Sequence, residues 1–176
     1  MVCKCCGRRM PDRIDKIRST LSKKAEEYAT EGNRYHNFDD MAKLIGVTPE
    51  QALIGLMAKH WVSVRDMLIM VEYLDHPPVC GYDPMFFTIT PPLIDEKFGD
   101  LINYLILLTG IRNRDITFQK VVNECIVFVD ACHVAPRADV KVLDEFIQDA
   151  ISDKLDATFR AIAYLIALEQ RMLERG

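Results

Sequence analysis

The sequence predicts an all-α protein of 176 residues. Apolar residues recur at helical spacing in almost every segment, and no stretch sustains the period-two alternation of a half-buried strand. Hydrophobic residues make up 49% of the chain, which is enough for one domain to bury a core. Residues that start and stop helices then divide the chain into elements.

The first two helices are predicted from their ends. Asp12 caps a helix over residues 13–30, which ends where the sequence reads GNRYHNF. A short helix over residues 39–45 stops at Gly46, because glycine suits the left-handed position that follows a helix.

A long helix over residues 49–74 has a strong start signal. Thr48 is its N-cap, Pro49 takes the first helical position and Gln51 closes a capping box. Its predicted core stripe, close to a seven-residue repeat, is Leu53, Met57, His60, Val64, Met67, Val71 and Leu74.

The remaining helices follow a proline-rich connection over residues 75–92, a length typical of functional or mobile loops. They are predicted over residues 93–109 with an end at Gly110, over residues 116–134, and over residues 139–173 with a break near Ser152. We therefore predict a cysteine-rich tail or zinc knuckle over residues 1–12, a helical core over 13–112 and a C-terminal helical extension over 113–176.

Charge and hydropathy narrow the classes of partner. The net charge is -4 and there is no long Lys/Arg tract, which argues against binding duplex nucleic acid. No run of about 18 apolar residues is free of charge, and no apolar segment follows the basic N-terminus. We expect a soluble, cytoplasmic protein without a membrane partner.

A polar stripe crosses the otherwise apolar helix at DEKFGDLINYLILL. Glu96, Asp100 and Asn103 fall at i, i+4 and i+7, and carboxylates one turn apart can share Mg²⁺ or Mn²⁺. Glu27 and Glu31 have the same spacing. If the two long helices form an antiparallel hairpin, Lys59 and Asp66 face the stripe across it.

The stripe also has a purely structural interpretation. Glu96 can complement the helix dipole, Asp100 can pair with Lys59, and Asn103 can satisfy a backbone group. His60 lies on a core stripe, where a histidine is more often a hydrogen-bonded interior residue than a ligand.

The six cysteines include Cys3 and Cys6 in a Cys-x-x-Cys-Gly sequence, the shape of a zinc knuckle. A knuckle supplies two of the four ligands of a structural Zn²⁺, and His76 and Cys80 in the long connection offer the other two. The alternative is a thiol-rich tail and an unrelated loop cysteine.

Two segments carry a resemblance to a known family: EEYATEGNRYHNFDDMAKLIGVTPEQALIGLMAKHWVSVRDM and EKFGDLINYLILL. In combination, their Tyr…Asn-Phe element, their Lys-His pair and their Asp-x-x-Asn-Tyr element resemble the phage-encoded branch of the MazG-like nucleoside triphosphate pyrophosphohydrolases. The resemblance covers residues 26–108 apart from the proline-rich connection.

The resemblance implies a MazG-like helical bundle core that forms dimers or tetramers in a bacterial host cytoplasm. It implies hydrolysis of a (deoxy)nucleoside triphosphate to monophosphate and pyrophosphate with Mg²⁺, which polarises the phosphoryl group and activates water. The implied metal ligands are Glu96, Asp100 and Glu27. The implied catalytic contacts are Lys59, His60 and Asp66, and the implied nucleotide contacts are Asn37, Asn103 and Tyr104.

The acidic elements depart from the family pattern. The family has Glu-Glu-x-x-Glu and Glu-x-x-Asp, whereas Glu31 follows Glu27, and Asp100 follows Glu96, with one residue more than the pattern allows. A catalytically inactive phage accessory or interaction protein that retains the fold is therefore the competing hypothesis.

Overall fold

The computed structural model describes residues 11–28, 33–75, 88–115, 120, 122–124, 127, 139–152 and 155–175. Its helices are α1 (Pro11–Tyr28), α2 (His36–Ile45), α3 (Pro49–Asp75), α4 (Pro91–Arg112), α5 (Val140–Ile151) and α6 (Leu155–Arg175). Within these ranges there is no strand, so the predicted all-α class is confirmed. The predicted helix over residues 116–134 lies mostly outside the described residues.

The predicted signals between α2 and α3 are confirmed. The backbone N–H of Gln51 donates to Thr48 Oγ1, and the N–H of Thr48 donates to Gln51 Oε1, which completes the capping box. Gly46 has a φ of 74° and its N–H donates to the Ala42 carbonyl, as a left-handed helix end requires.

Helix α4 is longer than predicted at both ends. Thr90 caps its N-terminus, and Pro91 occupies the first turn, where a missing N–H costs nothing. At the other end the helix passes through buried Gly110 to Arg112. The Arg112 guanidinium donates to Glu50 and to the carbonyls that end α5, and these tertiary contacts outweigh the glycine as a stop signal.

Helices α3 and α4 form the centre of the fold and run antiparallel. Arg112 at the end of α4 meets Glu50 at the start of α3, while His60 in the middle of α3 meets Asp100 of α4. Helix α6 packs against α4 and α5. Among the largest fully buried side chains are Met57, Met67, Phe98, Leu101, Leu105, Leu143 and Ile147.

Residues on both sides of the predicted boundary at 112 enter this core. Phe98 of α4, Leu143 of α5 and Leu165 of α6 belong to one buried apolar cluster. No helix in the described ranges is long and apolar enough to cross a membrane.

Helix α1 is attached to α4 and α6 through charged groups, which we call the anchor cluster: Arg13, Lys16, Asp95 and Glu169. Arg13 Nε donates to Glu169 Oε2 at 2.6 Å, and Arg13 Nη2 donates to the Asp95 carbonyl at 2.8 Å. Lys16 also pairs with Asp95. Glu169 is only 3% exposed, and burial raises its pKa to about 7 although Arg13 opposes the shift.

Candidate functional site

A pocket of about 250 Å³ opens between α1, α2, α3 and α4. Four residues proposed from the sequence line it together: Asn37, Asp100, Asn103 and Tyr104. The rest of the lining is Leu21, Arg34, Phe38, Met41, Leu56 and Leu107. The pocket therefore has mostly apolar walls with a few convergent polar groups, the usual composition of a small-molecule site.

The segment before α2 is held in place by contacts on both sides. Arg34 Nη1 donates to the Leu21 carbonyl of α1 at 3.1 Å. Arg114, beyond α4, hydrogen-bonds Asp39, holds the pKa of that carboxyl below its usual range, and lies 5.4 Å over the Tyr35 ring. These contacts fix α2 at the side of the pocket.

Helix α4 lines the pocket with Asp100, Asn103 and Tyr104, and together with the adjoining His60 of α3 these residues form what we call the pocket cluster. His60 Nδ1 lies 3.3 Å from Asp100 Oδ2, and the His60 and Tyr104 ring centroids are 5.1 Å apart. His60 is 7% exposed, as its place on the core stripe predicted. Asp100 therefore meets His60, whereas Lys59 lies on the exposed side of α3.

Asn103 lies deeper in the pocket wall than Asp100. It is 7% exposed, and its Oδ1 atom has no hydrogen-bond partner among the residues that the structure describes. A buried acceptor without a partner is uncommon in native proteins.

The residues of the predicted polar stripe have different surroundings in the structure. Glu96 is exposed and its Oε1 lies 2.5 Å from Lys97 Nζ; that hydrogen bond and charge lower the pKa of Glu96, with smaller effects from His60 and Lys59. Asp66 is exposed on α3. Of the acidic side chains that were proposed from the sequence and that the structure describes, Asp100 lines the pocket.

The described side chains contain no group of three or more His, Cys, Asp or Glu residues placed to hold a metal ion. The side chain of Glu27 lies outside the described part of the structure. So do Cys3, Cys6, His76 and Cys80. The magnesium and zinc sites stay predictions.

Sequence reasoning missed Arg34, Met41 and Leu56 as parts of the pocket. Arg34 belongs to the same GNRYHNF segment as Asn37, so proximity in the chain was the available signal. Met41 and Leu56 carry no such signal, because an apolar residue on a helix looks the same whether it faces a core or a pocket.

Comparison of the chain with protein-family models, curated proteins and solved structures gives no match.

Proposed function

We propose that this protein binds a nucleotide, with the base in the pocket between α2 and α4. The observation that carries the proposal is the pocket itself, in which the polar side chains of Asn37, Asp100 and Asn103 stand among apolar walls. A nucleobase supplies N–H donors on its edge and an apolar face for Phe38, Leu56 and Leu107.

The size of the pocket supports a partly enclosed ligand. Sites that enclose a drug-sized ligand usually measure about 300–1,000 Å³, and this pocket measures about 250 Å³. A base with part of its sugar fits that volume, and the phosphates then lie outside. Asp100, whose side chain is 27% exposed, stands at this outer position.

A second candidate is the MazG-like reaction, pyrophosphate release from a nucleoside triphosphate. It is favoured by Asp100 at the pocket wall with Glu96 one turn earlier on the same helix. Asp100, Glu96 and Glu27 would hold Mg²⁺, which supplies charge neutralisation at the phosphates. Glu96 must first leave Lys97, so the described donors fit a magnesium site only after a side-chain movement.

Binding is tested by titration calorimetry and thermal shift with a panel of nucleoside triphosphates, with and without Mg²⁺. A bound nucleotide raises the melting temperature in proportion to the logarithm of its concentration above Kd. Asp100→Asn should weaken binding, whereas Asp66→Asn, a matched change on the exposed face of α3, should not. A panel in which no nucleotide binds would overturn the proposal.

Hydrolysis is tested by pyrophosphate release from the same panel with Mg²⁺ or Mn²⁺. Glu96→Gln should abolish release and leave binding largely intact, and the exposed Glu72→Gln on α3 serves as its control. Binding without any release would favour the competing hypothesis of a nucleotide-binding accessory protein.

A further inference from the structure

The side of α3 that faces away from the core carries a regular stripe of exposed residues. Lys59, Val62, Asp66 and Ile69 follow one another at alternating helical spacings of three and four residues, which places them on one face of the helix. All four are exposed, although Val62 and Ile69 are apolar and are 50% and 49% exposed. We call these four residues the outer stripe.

The outer stripe has the spacing of a helix-packing seam. Alternation of three and four residues keeps one row of side chains facing a neighbouring helix. The core side of α3 already has its partners, because Val64 and Met67 are buried in the main apolar cluster. The outer stripe is therefore a second face of the same helix, on which two apolar residues one heptad apart are interleaved with a positive and a negative charge.

The order of the charges makes the stripe complementary to itself in one orientation. Val62 lies midway between Lys59 and Asp66. If a second copy of α3 runs antiparallel across a two-fold axis at Val62, Lys59 lies opposite Asp66 of the second copy, and the symmetry repeats that pair on the other side of the axis. A parallel arrangement would instead place Lys59 against Lys59 and Asp66 against Asp66, and like charges repel.

We propose that the outer stripe is a docking surface for a second copy of this chain, which binds as an antiparallel pair of α3 helices. The two Val62 side chains pack together on the axis, a Lys59–Asp66 pair lies on each side of them, and Ile69 extends the apolar contact at each end. One helix pair buries less area than a standard interface, so we expect a reversible dimer with a micromolar Kd.

The first test is the oligomeric state of the full-length protein. Sedimentation velocity from about 1 to 200 μM covers the range in which a micromolar dimer forms and dissociates. We expect a monomer–dimer equilibrium, and a protein that stays monomeric throughout overturns the proposal. The four residues lie outside the pocket lining, so this result is independent of the proposed nucleotide binding.

Charge reversal then tests the surface and the orientation. Lys59→Glu places two carboxylates opposite each other on both sides of the axis, and Asp66→Lys does the same with two ammonium groups. Each variant alone should dimerise at least about tenfold more weakly than the wild-type protein. In an equimolar mixture of the two variants, opposite charges meet at every position, so a heterodimer should form. Lys141→Glu, the same reversal at an exposed lysine of α5, should leave the dimer unchanged.

Two outcomes contradict the proposal. A dimer that survives both Lys59→Glu and Asp66→Lys forms through another surface, and a mixture that stays monomeric shows that the two positions do not face each other. Circular dichroism and melting curves of each variant precede the sedimentation runs. If either charge variant fails to fold, Val62→Lys decides, because it places two ammonium groups on the axis, and a dimer that it leaves intact overturns the proposal.

Discussion

Two polar clusters lie next to each other on α4 and differ in whether their groups are satisfied. In the anchor cluster, the Arg13 guanidinium bonds both Glu169 and Asp95. The pocket cluster, little more than one turn further along the helix, contains Asn103, which lines the pocket and whose buried Oδ1 has no partner among the described residues. The charged groups of the first cluster bond one another within the fold, whereas the second cluster keeps one buried acceptor without a partner in the described residues.

The difference teaches how to separate structural from functional polar residues in a helical core. Burial does not separate them, because Glu169 is 3% exposed and Asn103 is 7% exposed. Hydrogen-bond partners do separate them, because buried polar groups that serve only the fold are normally hydrogen-bonded within it.

The largest loss of stability is expected from Arg13→Ala. Without the guanidinium, the Glu169 carboxyl is left buried without its hydrogen-bond donor, and removing one partner of a buried pair in this way costs about 3–5 kcal/mol. Urea denaturation should show that loss in the free energy of unfolding. Replacing the pair together, as Arg13→Met with Glu169→Leu, should recover much of it, because buried pairs can often be exchanged for apolar residues.

The outcome for the pocket cluster should be different. Asp100→Asn leaves His60 beside a neutral amide at a partly exposed position, so its cost should be far smaller than that of Arg13→Ala. Equal losses from Arg13→Ala and Asp100→Asn would contradict the distinction between the clusters.

The raised pKa of Glu169 predicts a pH dependence of stability. Its pKa is about 7 in the folded protein against 4.5 as the ordinary value, so between these limits the folded state holds a proton that the unfolded state releases. The resulting stabilisation is complete below pH 4.5 and is lost as the pH rises through 7, a change of about 3 kcal/mol.

Other carboxyls change the pH profile too, and Asp39, with its lowered pKa, acts in the opposite direction. The measurement is therefore the difference between the wild-type protein and Glu169→Gln, by urea denaturation from pH 4.5 to 8. The free energy of unfolding of the wild-type protein, relative to that of Glu169→Gln, should fall as the pH rises towards 7. A difference independent of pH would mean that Glu169 has the same pKa in the folded and unfolded states.

Two glycine-to-alanine variants, one beside the anchor cluster and one away from it, should differ in stability by an intermediate amount. A Cβ at Gly99 would lie 2.9 Å from Arg13 Nη1, whereas a Cβ at Gly55 of α3 meets nothing within 4 Å. Gly55→Ala should gain up to about 1 kcal/mol from helix propensity. Gly99→Ala has the same gain but displaces Arg13 from its partners, and overpacking of this kind costs about 1–3 kcal/mol.

We therefore expect the two variants to differ by about 2 kcal/mol in the free energy of unfolding. In the double variant of Gly99→Ala with Arg13→Met, the penalty at Gly99 should shrink. A penalty unchanged by the loss of the guanidinium would place the clash elsewhere.

Local sequence patterns predicted much of the fold. The Thr48–Gln51 capping box, the helix end at Gly46 and the buried stripe of α3 depend on residues within a turn or two of each other. The partnership of Arg13 with Glu169 joins residues 156 positions apart, and no local pattern encodes it.

The candidate site was predictable in part for the same reason. Helical spacing placed Glu96, Asp100 and Asn103 on one face, and they do follow one another along α4. Spacing does not give the depth of each residue, which depends on the helices packed around it. Glu96 is exposed beside Lys97, while Asn103 is covered by the surrounding helices.

The smallest change in stability is expected from Asn103→Leu, and it should be a gain where Arg13→Ala gives a loss. Its unpaired oxygen loses water on burial and gains no hydrogen bond within the described structure, so an apolar side chain at this position avoids that penalty. We expect the ligand-free variant to be more stable than the wild-type protein by about 1 kcal/mol in urea denaturation.

The same substitution should abolish the stabilisation that a bound nucleotide gives. Greater stability without ligand together with lost response to ligand is what separates a binding residue from a structural one. If the Asn103→Leu variant were destabilised as strongly as the Arg13→Ala variant, Asn103 would be needed for the stability of the fold. The pocket cluster would then be structural, like the anchor cluster.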